Sequence, residues 1–427
     1  MHTRRQFITT TSAAALAAAT HSLAAKHSDT IKIAMVGCGG RGTGAASQNL
    51  TTDKGLRLIA MADISQEQLD KSLGVLKKKH PEQVDVSTAN QFVGFDAYKE
   101  AIALADLVII ASPQGFHPYH LAEAVRQGKH VFVEKPLAVD APGVRRVLAA
   151  AEEAKKKNLK IGIGLQRHHQ PSYIETVKRI HDGAIGDITS MTCYWLGNAR
   201  AGQPRLPGED ELHYQLRNWY YFTWISGDFI VDQHIHNIDI MNWIKGGHPV
   251  RAQGMGGRQV RNDKALHGQI FDHHFVEYEY ADGSKLFAQC RQGQAGTHQI
   301  VSEHAVGTKG RADLNVGSKL FRITGANPWE LRLKTGEDGH QLEHYPLIEA
   351  IRNDTPYNEL EVAAMSTMTA IMGRMATYSG KLIEWDEAIK SELHLMPEKV
   401  SWDMEPPVKP DAEGNYPVAV PGRTVAL

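Results

Sequence analysis

Cysteine is scarce in this chain: Cys38, Cys193 and Cys290 are the only three among 427 residues. So odd and sparse a set builds no disulfide framework, even in an oxidising compartment. An excess of one charge is missing too. Lys and Arg number 47 against 48 Asp and Glu, a formal net charge of −1, which excludes nucleic acid, other polyanions and an anionic membrane surface as partners. No internal repeat is present. What remains is an ordinary globular composition, 42% hydrophobic and 22% charged, over a length that exceeds one ordinary core and implies two domains. Histidine, at 22, is the outlier.

Residues 1–25 read as a leader. Thr3-Arg4-Arg5-Gln6-Phe7-Ile8 has the form of a twin-arginine export motif, followed by an Ala-rich apolar run from Ser12 to Ala19 and small residues at Ser22-Leu23-Ala24-Ala25 for cleavage. The run is too short and too weakly apolar to span a bilayer, so no membrane span is expected after processing. The expected destination is the periplasm or the outer cell surface. Twin-arginine export carries folded proteins, which suits one that acquires a nucleotide before leaving the cytoplasm.

The rest is organised around residues 31–63. A buried strand from Ile31 to Val36 leads into a glycine turn, a helix from about Thr43 and a second strand ending at Asp63. Gly37, Gly39 and Gly42 have the G-x-G-x-x-G spacing, with Gly40 and Arg41 between them. The first glycine permits the tight turn, the second lets backbone approach a pyrophosphate, and the third lets helix and strand pack closely. N–H groups at the helix start then face the anion. Asp63, 21 residues beyond Gly42 at a strand end, is placed to bind ribose hydroxyls and to repel a 2′-phosphate. That favours NAD, with NADP as the alternative because Arg41 is placed to contact a phosphate. Cys38 is a small apolar filler in the turn, shielded by the nucleotide.

Further along, Ser65 with Gln68 opens a helix to about Lys79, another helix starts at Asp96, and Leu107–Ala111 is an apolar strand ending at Ser112-Pro113-Gln114-Gly115. A helix over 118–126 precedes the strand His130–Glu134, Asp140 caps a helix ending near Asn158, and Leu159–Leu165 is another strand. Apolar strands alternating with helices predict an α/β fold, a doubly wound Rossmann domain over residues 30–158 with its ligand at the carboxyl ends of the strands. From Gln166 the pattern changes. A helix over 173–181 precedes candidate strands at 188–196, 269–280, 284–292 and 298–306. They predict a second α/β domain, residues 159–400, with a large, mainly antiparallel open sheet. Ala363–Ser379 is a helix stopped by Gly380. Residues 401–427, with five prolines from Pro406 to Pro421, form an extended tail that lies on the surface or wraps a neighbouring subunit.

Two stretches carry chemistry. Glu134-Lys135-Pro136 ends a sheet strand where nicotinamide would lie, and a lysine there can donate to an oxygen and stabilise developing alkoxide charge. Equally, it reads as a surface lysine before a helix-starting proline. In the second stretch, residues 227–243, a helical period puts Asp232, His236, Asp239 and Trp243 on one face and Val231, Ile235, Ile238 and Met241 on the other. A carboxylate one turn before an imidazole orients it and favours its protonated form, preparing a general base. On a helix His234 points away from His236, so no metal site is expected; on a strand the two would share a face. The plain alternative is a capped helix with a solvated polar face.

These motifs, with Val36–Gly42, Arg167 with Pro171 and Tyr173, and Leu347–Arg352 followed by Pro356-Tyr357-Asn358, resemble the family of glucose–fructose oxidoreductase, inositol dehydrogenase and rhizopine-catabolism proteins (Gfo/Idh/MocA). The resemblance covers almost the whole chain after the leader. It implies a catalytic group at Lys135, Asp232 and His236, with the histidine taking the hydroxyl proton as hydride moves to nicotinamide. It also implies a nicotinamide site lined by Ser112, Pro113, His117, Glu134 and Lys135, a cis bond before Pro136, and oligomerisation through the open sheet as a dimer or tetramer.

Between the domains, residues 213–224 are rich in aromatic and polar groups. Arg217, Asn218 and Trp219, together with Arg167, His168, His169 and Tyr173, are the candidates for binding a carbohydrate, which offers apolar C–H faces and many hydroxyls. The function these features predict is an exported, NAD-dependent oxidoreductase acting on a sugar, sugar-acid or glycoside hydroxyl, its cofactor tightly bound and recycled because free NAD is not expected outside the cytoplasm. The enzymatic alternative is glycoside cleavage by transient oxidation and elimination. Family members known for that chemistry lack the lysine and carry Thr-His-Gly in place of Asp-x-x-x-His, whereas this chain keeps Lys135, Asp232 and His236. The third reading is a non-catalytic, nucleotide-bound binding protein.

Overall fold

The structure is a computed structural model that describes residues 30–293 and 296–427; the leader lies outside them. Six parallel strands form the first sheet: β1 (Ile31–Val36), β2 (Leu56–Asp63), β3 (Gln91–Val93), β4 (Leu107–Ile110), β5 (His130–Val133) and β6 (Ile161–Ile163). Their spatial order is β3-β2-β1-β4-β5-β6. Strands β4 and β6 are buried along their whole length, as an all-apolar run requires when helices cover both faces. Side chains alternate between those layers. Ile33 and Met35 pack into one apolar cluster, Ala34 and Val36 into the other, and a fully buried Ile or Val stabilises by roughly 1.5–3 kcal/mol.

Helices α1 (Gly40–Thr52), α2 (Gln66–Lys79), α3 (Ala97–Leu104), α4 (His117–Arg126) and α5 (Ala141–Lys156) follow successive strands. Ser65 accepts from Gln68 N at 3.3 Å and Asp140 from Gly143 N at 2.8 Å, the two caps legible in the sequence. Two expected boundaries move. Helix α1 starts at Gly40 rather than near Thr43, because the turn closes as soon as Gly37 has reversed the chain. The first domain extends past residue 158, since β6 pairs with β5 and is part of its sheet.

After α6 (Pro171–His181) comes β7 (Ile188–Asn198), then α7 (Phe229–Asp232) and α8 (Ile235–Lys245). The second sheet combines β7 with β8 (Arg251–Gly257), β9 (His273–Glu279), β10 (Lys285–Gly293), β11 (Ile300–Gly307), β12 (Gly310–Asn315), β13 (Leu320–Gly325), β14 (Trp329–Arg332) and β15 (Ile383–Glu384). It has nine strands, antiparallel except for the β7–β10 pair. Helix α9 (His344–Asn353) packs on α1. Helix α10 (Leu360–Ser379), stopped by a left-handed Gly380, is buried from Thr367 to Ser379 and packs against α5, α8 and β8. It ties the site together: Thr367 accepts from Leu137 N, and Ser366 donates to Asp239 at 2.8 Å. The tail folds back on its own chain. Val408 O accepts from Gln215, Tyr416 donates to Glu211, and Gly422 N donates to Ser379 O.

Candidate active site

The glycine turn has the shape that its spacing requires. Gly37 adopts φ +92°, and a Cβ at Gly42 would stand 2.0 Å from Gly37 O, so only glycine closes α1 onto β1. Above Gly39 and Gly40 the space is open for 4 Å, where backbone N–H groups at the start of α1 can meet a pyrophosphate. Beside the turn is a cavity of about 60 Å³ whose lining includes Asp63, Phe95, Ser112, Pro113 and His120. Asp63 accepts from Cys38 N and Ser65 N, which holds its carboxylate at the cavity while leaving acceptor capacity free. Burial raises its pKa, and those backbone donors counter the rise. Cys38 is buried at 2% exposure against Ala62 O. Arg41 turns sideways: its Nε lies 3.0 Å from Glu134 Oε1, a charge contact outside hydrogen-bond alignment, and it also donates to Gln48.

On the nicotinamide side, the Lys135–Pro136 peptide is cis. The His117 imidazole lies 2.7 Å from Pro136 O and 2.6 Å from Ser112 O, clamping the two loops together, and Ser112 Oγ lies 3.0 Å from His120 Nδ1. Burial lowers the His117 pKa to about 4. Glu134 is buried on Gly164; burial raises its pKa while Arg41 and Lys135 pull it down. Glu134 Oε1 and Gln114 Oε1 are buried acceptors without a hydrogen-bond partner among the described residues. A nicotinamide nucleotide supplies amide and hydroxyl donors for such groups, so the residues fit it.

Lys135 reaches the second domain. Its Nζ donates to the carbonyl of Asp232 at 2.5 Å and lies 3.8 Å from Asp232 Oδ1, while Gln114 donates to that same carboxylate oxygen. Asp232 and His236 do not share one helix as the periodicity suggests. The chain breaks between α7 and α8, with His234 N bonded to Phe229 O. The cause is two neighbours pulled apart: Gln233 Oε1 accepts from Gln292, and His234 lies 3.7 Å from the Cys193 thiol in the core. Asp228, at φ +76°, fixes the start of α7 by accepting from Phe229 N, Phe271 N and Tyr378. Nor is the polar face solvated, for α8 is buried from Ile235 to Asn242.

His236 is 7% exposed, and its ring lies 5.9 Å from Trp195 at 21°. The expectation that Asp232 favours its protonated form is overturned. Burial first, then the charges of Lys135 and Arg167, hold His236 well below the usual imidazole value, so it stays neutral.

Several candidate substrate contacts are committed inside the protein. Arg167 is buried against Glu303 and donates to His236 O at 3.2 Å, and Tyr173 donates to Glu303 at 3.0 Å. His168 lies 2.7 Å from Asp239 and His169 3.2 Å from Glu359. Arg217 binds Glu209, Gln203 and Pro204 O, while Asn218 binds Tyr214 and Leu266 O. Trp219 keeps a half-buried ring under Arg200. Four residues outside the sequence reading are in place: Gln114, Trp195, Glu303 and His340. Glu303 was detectable as an acid within an alternating strand. His340 shares the cleft's field, its pKa lowered to about 4 by burial and by Arg41 and Lys135.

Family models match both halves: an oxidoreductase family with an NAD-binding Rossmann fold over residues 31–162, and the GFO/IDH/MocA C-terminal domain over 173–313. An inositol 2-dehydrogenase of Ralstonia nicotianae is 27% identical over 288 residues, 65% of this chain and 74% of the relative. A solved scyllo-inositol dehydrogenase of Lactobacillus casei, bound to NAD(H) and scyllo-inositol, superposes with a TM-score of 0.64 at 22% identity, covering 84% of this chain and 99% of that one. An aldose-aldose oxidoreductase of Caulobacter crescentus, complexed with glycerol, gives 0.65 at 17% identity, covering 83% and 99%. With both its domains matched in order, the chain belongs to the Gfo/Idh/MocA family of NAD-dependent oxidoreductases.

Proposed function

We propose that this chain is an exported oxidoreductase that moves hydride between a retained NAD and a carbinol carbon of a sugar, sugar acid or glycoside. The observation that carries the reading is the meeting of Lys135, from the nucleotide domain, with the Asp232–His236 segment of the second domain, Nζ to Asp232 O at 2.5 Å. When bound at the glycine turn, NAD accepts hydride from carbon. The chain's own residues do the rest. Neutral His236 takes the hydroxyl proton. The Lys135 ammonium donates to the same oxygen and stabilises charge as it forms. Asp232, held by Gln114, keeps Lys135 pointed at that place. Inositol 2-dehydrogenase and aldose-aldose oxidoreductase relatives support a polyhydroxylated ring as substrate.

The twin-arginine leader supports export, and with it a cofactor that stays bound and is recycled by oxidising one sugar while reducing another or by epimerising through a ketone. The tail favours retention. Trp402 lies 4.5 Å from Phe95, in the wall of the Asp63 cavity, and 4.6 Å from His213 of the second domain. Assembly through the open face of the nine-stranded sheet, where Met255 is 71% exposed, fits a homo-oligomer, a dimer or tetramer. The test incubates purified, NAD-loaded protein with free sugars and with reporter glycosides. A rise in nicotinamide absorbance is expected. Aglycone release without net nicotinamide reduction would favour oxidation-assisted glycoside cleavage, and neither signal would leave a nucleotide-bound binding protein.

A further inference from the structure

Trp195 is not needed by the chemistry above, yet it stands beside it. On β7, Met191 and Cys193 face inward at 1% and 0% exposure, and strand alternation puts Trp195 on that same side. Its indole nevertheless remains half-buried, beside the His236 ring at the start of α8. Indole and His236 imidazole are nearly parallel, with centroids 5.9 Å apart, wider than a face-to-face contact, so the indole adds a second flat surface beside the imidazole.

Gln292, paired opposite Gly197 two residues beyond Trp195, is buried and bonded at both ends of its amide, donating to Gln233 at 2.7 Å and to the Tyr220 hydroxyl at 2.5 Å and accepting from Arg261, so it backs this surface without reaching a ligand. On the loop that leaves β7, exposed Arg200 sits over the rings of Trp219 and Tyr220, at 4.9 and 5.3 Å. A half-buried indole with an exposed guanidinium on the loop beyond it matches a pyranose, whose C–H face needs the ring and whose hydroxyls need a polar partner.

We infer that the cleft holds a second sugar subsite floored by Trp195, so that the substrate is a two-ring sugar, a disaccharide or an aryl glycoside, and not a free monosaccharide. This rests on the carbohydrate reading of the site. One ring presents its hydroxyl to Lys135 and His236 while the next lies on the indole, one ring-spacing along the floor.

The test measures nicotinamide reduction in NAD-loaded protein with glucose and galactose against cellobiose, lactose and their aryl glycosides. At least one two-ring compound is expected to exceed its matching monosaccharide in kcat/KM by about tenfold or more, the scale of one aromatic contact. Trp195→Ala is expected to collapse that ratio and Trp195→Phe to restore most of it, while the pH profile set by His236 keeps its position in both. Equal rates on one-ring and two-ring sugars, or a Trp195→Ala loss shared equally by both, overturns the second subsite and leaves the oxidoreductase standing. No reduction with any sugar overturns the oxidoreductase reading itself, and the subsite with it.

Discussion

The nucleotide side of the cleft and the substrate side are made by different means. Backbone does the work at the glycine turn, where Gly37 and Gly42 touch within one contiguous stretch and the only side-chain requirement is the absence of one. Across the cleft, side chains do it. Lys135, Asp232 with His236, Gln114, Arg167 and Glu303 come from five separate segments and are held by hydrogen bonds and ion pairs in a largely buried interior. Backbone recognition therefore fails abruptly on adding one methyl group, whereas the side-chain network is expected to separate into parts that bind, react and stabilise.

Breaking the backbone side gives the largest effect. Gly42→Ala drives a Cβ into Gly37 O, an immovable neighbour, and nucleotide content after gel filtration is expected to fall to background, with a lowered Tm. On the other side, His236→Ala is expected to cut turnover by about 10²–10⁴ with nucleotide retained, because it removes only the proton acceptor; steady-state rates with quantified bound NAD separate the two outcomes. Glu303→Ala strands the buried Arg167 guanidinium, at a cost of about 3–5 kcal/mol in denaturant unfolding, and Glu303→Gln costs less. The smallest effect sharpens the comparison. As His236 is held neutral, kcat/KM for oxidation is expected to stay level as pH falls through about 6.5, the ordinary imidazole value, and to decline only below it. A decline beginning above that value would restore the Asp232-supported imidazolium that the sequence periodicity suggests.

The same contrast decides what was legible. Local patterns were: β1, the glycine spacing, β2 ending at Asp63, the Ser65 and Asp140 caps and the Gly380 stop all depend on neighbours in sequence. The cis peptide before Pro136 followed from family resemblance and not from the residues themselves. Six strands, β3, β8, β12, β13, β14 and β15, were missed, because they are short, polar or glycine-rich and hide a two-residue period. The break at Gln233 and His234 is set by Gln292 and Cys193, which no helical wheel includes. Arg167, His168 and Arg217 look like sugar ligands by type, yet Glu303, Asp239 and Glu209 claim them, and those partners lie far off or on another element. Residue type sets what a group can bond, while topology sets which partner reaches it first.

The most direct measurement is a crystal structure of the NAD complex soaked with a reducible or oxidisable sugar. It is expected to show one substrate oxygen within hydrogen-bond distance of both Lys135 Nζ and the His236 imidazole, its carbon facing the nicotinamide. A sugar bound with its reacting carbon turned from those two groups, or an oxygen held by neither, would contradict the account.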